Sequence, residues 1–324
     1  MLYSRIKTIL HKVIYIVTLN PIIKRTNWYK NFFVEDIYPG NLWYRCHDER
    51  NFDLVVLGSS GAKWAFDFDG SDIKAMNWAQ QPQTLVEDFN ILRNFHSILR
   101  KKGVVIITIM PFTGLNKETN VWDAVKYLQV HCHEPIETHL IERARAIVWM
   151  PIRLGKPAIK ATIKYLLGKD VKPKTYNYAM VESNPMDKYQ LDKNAESFVK
   201  GWKNQFSIED FEAPLTEANR KGRIYRIELM RTIIDFCTER QYKPILIVPP
   251  VTRHLNRFYT SQFKETYIYS FLREVSRNVH VLDYSNEDEF MDDKLYFNSF
   301  FMNSIGRKLF TARVINDLKQ INVL

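Results

Sequence analysis

Asp53-Leu54-Val55-Val56-Leu57-Gly58-Ser59-Ser60-Gly61 is the stretch on which the fold turns. Leu54 to Leu57 is an unbroken apolar run, the pattern of a strand covered on both faces of a parallel sheet. It stops at once in four small residues, which let the chain turn sharply and open a helix with a hydroxyl at its mouth. Amides at such a helix start lack an acceptor within the helix and can stabilise an anion there.

Outward from this run the same unit repeats. Ile73 to Met76 reads as a weaker strand that leads into Asn77-Trp78-Ala79. Leu85, Phe89, Leu92, Phe95 and Leu99 have helical spacing and predict an amphipathic helix over 85–99. Val104 to Met110 is a second buried strand, stopped by Pro111. Later come a helix over 219–240, a strand at 245–248 ended by Pro249-Pro250, and a helix over 261–275. A strand at 279–282 and a closing helix over 305–318 complete the series. This alternation predicts an α/β fold, a three-layer doubly wound parallel sheet of about five strands with helices on both faces. Between 113 and 215 short helical stretches are broken by prolines, which reads as a long helical insertion acting as a lid or partner-binding element. The expected division is a lead-in at 1–50, an α/β domain at 51–112 and 216–324, and a basic insertion at 113–215.

Composition narrows the function classes. An apolar fraction of 46% and a charged fraction of 25% are those of a globular protein, and 14% aromatics argues against disorder. The three cysteines, Cys46, Cys132 and Cys237, form neither a disulfide framework nor a CxxC knuckle. Nothing approaches the roughly 18 apolar residues of a membrane span. Val13 to Leu19 is followed by Asn20-Pro21 rather than by a secretory cleavage site. The expected location is therefore the cytoplasm, with peripheral contact at the inner membrane face. The net charge of +10 is concentrated between 141 and 174, where nine Lys and Arg face only Glu142 and Asp170. A basic amphipathic segment of this kind suits an anionic membrane surface or an acidic glycan. Nucleic acid is not expected, because no recognition fold is evident. His131-Cys132-His133-Glu134, with His139 behind it, has zinc-ligand residue types without a second matched pair, so neither a metal nor another cofactor is expected. Asp67 to Asp72 lacks the downstream glutamate of a calcium loop and reads as a turn.

In an open parallel sheet the ligand sits outside the carboxyl ends of the strands. That rule selects Ser59 and Ser60, Asn77, Pro111 to Thr113, Pro249 to His254, and Asp283 to Ser285. The segments Leu57-Gly58-Ser59-Ser60, Asn77-Trp78-Ala79-Gln80-Gln81-Pro82-Gln83 and Tyr296 to Gly306 resemble, in order and placement, three blocks of the SGNH/GDSL hydrolases. The resemblance covers roughly residues 50–112 and 240–320. It implies that Ser60 is the nucleophile, that the amides of Ser60 and Gly61 supply part of an oxyanion hole, and that Ser59, Asn77 and Thr113 flank the pocket. It also implies an acylated carbohydrate or lipid-linked glycan as substrate.

The last block departs from the family. Its Asp position reads Asn298 and its His position Phe301. Asn cannot stabilise an imidazolium by charge, and Phe accepts no proton. Loss of the base costs about 10⁶ in turnover in a serine protease. His254, oriented by Asp283 or Asp288, is the available substitute base. Two readings follow: an ester hydrolase or O-acyltransferase using Ser60, His254 and Asp283, and a catalytically inactive SGNH-like binding or scaffold protein.

Overall fold

The structure, a computed structural model, describes residues 19–30, 49–115, 124, 127, 146, 147, 149, 151–171, 185–276 and 278–324. The chain divides into two compact units, residues 1–46 with 119–176, and 47–118 with 177–324. The insertion expected over 113–215 is thus shared between them. Its later part carries Ala195, Phe206, Ile208 and Phe211, which are buried in an aromatic cluster of the second unit.

The second unit is built on five parallel strands: β1 (Phe52–Leu57), β2 (Ala75–Asn77), β3 (Leu99–Thr108), β4 (Lys243–Val248) and β5 (His280–Asp283). Their spatial order is β2-β1-β3-β4-β5, the flavodoxin-like arrangement, with the winding direction reversing between β1 and β3. Register aligns Val56 with Asn77 and Ile106, and Ile106 with Ile245.

Strand residues alternate between two covered faces, which is why the apolar runs do not alternate with polar residues. Leu54, Val56, Val104, Ile106, Ile245 and Ile247 belong to one core, together with Phe310, Val314 and Leu318 of the closing helix. Val55, Leu57, Val105, Ile107, Leu246 and Val248, equally buried, point to the other face. The helices of the unit are α1 (Ser60–Lys63), α2 (Leu85–Phe95), α4 (Lys188–Gln205), α5 (Glu217–Glu239), α6 (Arg253–Asn256), α7 (Ser261–Lys264), α8 (Ser270–Val275) and α9 (Ser304–Gln320). α2 and α5 pack together through the edge-to-face pair Phe89–Phe236 at 5.7 Å.

The strands and helices of the α/β unit match the sequence expectations to within two residues at their ends, apart from two larger differences. The helix expected to reach Leu99 ends at Phe95 and passes through a 3₁₀ turn, so β3 begins five residues before Val104. The helix expected over 261–275 is continuous only through a π turn at Glu265–Tyr269. α2 starts with a capping box, Thr84 accepting from its first turn and Glu87 accepting from the Thr84 amide.

The first unit contributes α3 (Lys156–Leu166) and a short helical turn at Asn27–Tyr29. Asn27 donates its amide to the Asp170 carboxylate at 2.7 Å and its side chain to the Asp170 carbonyl. Among the described residues, no helix is long and apolar enough to cross a membrane.

Candidate functional site at the switch point

A cavity of about 490 Å³ opens where the carboxyl ends of β1 and β3 diverge. This is the topological switch point, where open α/β sheets bind their ligands. Gly58, Ser59 and Ser60 line it from the β1 turn, Thr108 and Met110 to Thr113 from the end of β3, and Gln81 to Leu85 with Asp88 from the start of α2. α4 closes the opposite side with Asn194, Ser197, Phe198, Trp202 and Gln205, while Phe300 and Phe301 enter from the turn before α9.

The β1 turn can take this shape only because of Gly58. Its φ is +140°, and a Cβ there would stand 1.8 Å from the Thr108 hydroxyl oxygen. That hydroxyl donates to the Leu57 carbonyl at 2.9 Å, so β3 holds the turn from beneath. The Gly58 amide donates to Asp88 at 2.8 Å, and the Gln83 amide donates to the Ser59 hydroxyl at 3.2 Å. Ser60 is then the first residue of α1, half-buried, lining the cavity, and its hydroxyl has no hydrogen-bond partner among the described residues. The first amides of any helix lack intrahelical acceptors, which leaves the Ser60 and Gly61 amides, at the start of α1, outside the helix's own hydrogen bonds. Gly61 is buried against Met110.

Asn77 does not line the cavity. Its side chain donates to the Ala62 carbonyl at 3.1 Å and accepts from the Ala79 amide at 3.0 Å, which braces α1 against the end of β2. Thr113 does line it, with its hydroxyl accepting from the Met110 amide at 2.8 Å.

The expected substitute base lies elsewhere. His254, on α6, is not among the cavity-lining residues. Its Nδ1 is 2.8 Å from an Asp192 carboxylate oxygen and its Nε2 is 3.1 Å from Asp293. A neutral imidazole has one N–H, so two carboxylate contacts require the imidazolium, which has no lone pair to accept a proton from serine. Burial pulls the His254 pKa down, but the hydrogen bonds and charges of the two carboxylates outweigh it and the net shift is upward. Asp283 and Asp288 do not orient this ring. Asp283 accepts from the Tyr269 hydroxyl and the Ser285 amide, and Asp288 pairs with Arg253 at 3.3 Å. The proposed Ser60–His254–Asp283 arrangement is therefore not assembled.

Phe301, where the sequence resemblance would put a base, belongs to an aromatic wall. Phe301 is buried against Trp64, Phe198, Phe297 and Phe300, with ring centroids 4.8–6.1 Å apart. Asn298 accepts from the Phe300 and Phe301 amides at 2.9 and 2.7 Å, so it shapes the turn that presents those rings. Lys63, one turn beyond Ser60, reaches toward Gln80 and does not line the cavity.

Two ionisable residues that the sequence reading passed over do line it. Asp88 is buried at the cavity wall and accepts from Gln83 at 2.6 Å as well as from Gly58. Burial pushes its pKa up to about 7, with Glu87 adding to the rise; Gln83, Gly58 and the Arg226 charge oppose it. Arg226, on α5, is also buried and donates to the Thr84 hydroxyl at 3.4 Å. Both residues sit on apolar stripes: Asp88 between Leu85 and Leu92, and Arg226 one turn before Leu229 and Met230 and two before Ile233. A charge on a buried helical stripe was the signal available in the sequence.

Among the described residues there is no group of acidic, histidine or cysteine side chains placed to hold a metal. His131 to Glu134, His139, Cys46 and Cys132 lie outside the described residues. Cys237 is buried, which pushes its thiol up to about 12. Comparison with models of known protein families gives no match, and comparison with curated proteins gives none either.

Proposed function

We propose that this chain is an SGNH-like α/β protein that binds an acylated carbohydrate or lipid-linked glycan at the switch-point cavity without Ser–His–Asp hydrolysis. One observation carries the reading: the cavity that Ser60 lines is also lined by Phe301 and not by a histidine, while His254 is held by two carboxylates outside it. The lining suits a sugar. Phe112, Phe198, Trp202, Phe300 and Phe301 offer aromatic faces for the C–H faces of a pyranose. Gln81, Thr113, Asn194 and Gln205 offer hydrogen-bonding side chains around them.

The alternative, an esterase or O-acyltransferase that uses Ser60, is favoured by the placement of that hydroxyl at the first residue of α1. Ser60 lines a cavity whose lining includes one carboxylate among the described residues, that of Asp88.

The two readings separate in one experiment. Wild type, Ser60→Ala and His254→Ala are exposed to a fluorophosphonate probe, and binding of acetylated oligosaccharides is followed in parallel by ligand-observed NMR. Binding reads out as saturation transfer to the sugar that Trp202→Ala abolishes, with no labelling above the Ser60→Ala background. Labelling that depends on Ser60 overturns the binding-only reading in favour of the alternative.

A further inference from the structure

α3 of the first unit has an unusual division of faces. Ala158, Ala161 and Thr162 are buried, and these small side chains seat the helix against its neighbours. The outward stripe carries Ile159, Ile163 and Leu166, spaced i, i+4 and i+7, and continues into Leu167. Ile163 is 52% exposed, Leu166 65% and Leu167 63%. Surface helices normally place such residues inward. Here the large apolar side chains face out and the small ones face in.

The flank of this stripe is uniformly positive. Lys156, Lys160 and Lys164 form an adjacent i, i+4, i+8 ridge, and Lys169 follows. None of the four has an ion-pair partner among the described residues. The one acid between 151 and 171 is Asp170, and its carboxylate is taken up by the Asn27 amide. Val171, 82% exposed, extends the apolar surface past the helix end.

We infer that α3 is a docking surface for an anionic lipid bilayer, lying in the interface with Ile159, Ile163, Leu166 and Leu167 immersed and the lysine ridge on the headgroups. An apolar stripe flanked by lysines matches a layer of acyl chains beneath anionic headgroups. The helix is too short to span that layer, so the contact is parallel to the surface. The charge complementarity distinguishes this occupant from a second copy of the chain, which would bring the same lysines to face each other. A glycan carried on a lipid would reach such a surface, but the docking itself does not depend on the cavity.

The test is vesicle flotation of the full chain with phosphatidylcholine alone and with about 30% phosphatidylglycerol. Wild type is compared with Ile163→Asp/Leu166→Asp and with Lys160→Glu/Lys164→Glu, whose exposed positions leave the fold intact by circular dichroism. Wild type floats with the anionic vesicles and stays behind with neutral ones. The lysine reversals weaken binding by about 20-fold or more, since each cation near an anionic surface is worth about fivefold. The aspartate pair abolishes flotation at low salt as well. No flotation of wild type with anionic vesicles overturns the assignment, and so does flotation that survives both double variants. Light scattering reads the rival occupant: a wild-type dimer that the aspartate pair dissociates, without vesicle binding, assigns the stripe to self-association instead.

Discussion

Replacing His254 with Gln tests whether the Asp192–His254–Asp293 contact is a proton-dependent clamp on the cavity wall. Asp192 lies on α4, which supplies Asn194, Phe198 and Trp202 to the cavity. Asp293 opens the 3₁₀ turn that leads to Phe300 and Phe301. His254 joins the two through side-chain contacts spanning 62 and 39 residues of sequence. The other charges around it are Lys193 and Glu196 on α4, Arg253 and Arg257 near α6, and Asp288 and Lys294 beyond. A charge-assisted hydrogen bond contributes about 1.5–3 kcal/mol when shielded. The His254 side chain is 15% exposed and its partners about a third, so solvent screening lowers the expected loss on its removal to about 1–2 kcal/mol in total. For a domain of this size that is a fall of roughly 3–6 °C in Tm. The pH dependence gives the sharper reading. The folded protein holds the His254 proton more tightly than the unfolded chain does, so its contribution is complete below the unfolded pKa of about 6.5. It is lost as pH rises through the higher folded pKa. Melts of wild type and His254→Gln from about pH 5.5 to 9 should therefore start apart and converge with rising pH. Parallel curves across the whole range refute the imidazolium clamp.

Two further perturbations probe the floor of the site. Asp88→Asn keeps an acceptor for the Gly58 amide and removes the buried ionisation. An acid whose folded pKa is raised to about 7 stabilises the fold less as pH rises from about 4 to 7, so the variant should gain on wild type over that window by roughly 3–4 kcal/mol, read by urea denaturation. A pH-independent difference between the two excludes the buried ionisation as its source. Gly58→Ala forces a Cβ onto the Thr108 hydroxyl at a backbone conformation that L residues rarely adopt, and should cost about 3 kcal/mol or more and abolish ligand binding. A melting temperature within a degree or so of wild type contradicts the close approach of β1 and β3 at that turn.

The strands and helices of the α/β unit were legible in sequence because their cause is local. Leu54 to Leu57 and Val104 to Ile107 are apolar at every position, and such short runs, cut off by turn residues, suit a strand covered on both faces. The sharp stop at Gly58 placed Ser60 at a helix start by the same logic, and the rule for open sheets placed that helix start at the ligand edge. That Phe301 supplies no base was equally readable, since no fold gives a phenyl ring a proton acceptor. Tertiary structure decided what surrounds Ser60. Strand order set the reversal between β1 and β3, and so which turns share a cavity. α4, read from sequence as part of a separate insertion, forms one wall, because its buried side joins an aromatic cluster whose members are scattered from Trp64 to Phe301. His254 has the residue type and the sheet edge of a catalytic base, yet its role follows from Asp192 and Asp293. Contacts between side chains so far apart along the chain have no period or motif to announce them. They are fixed only when the sheet brings their turns together.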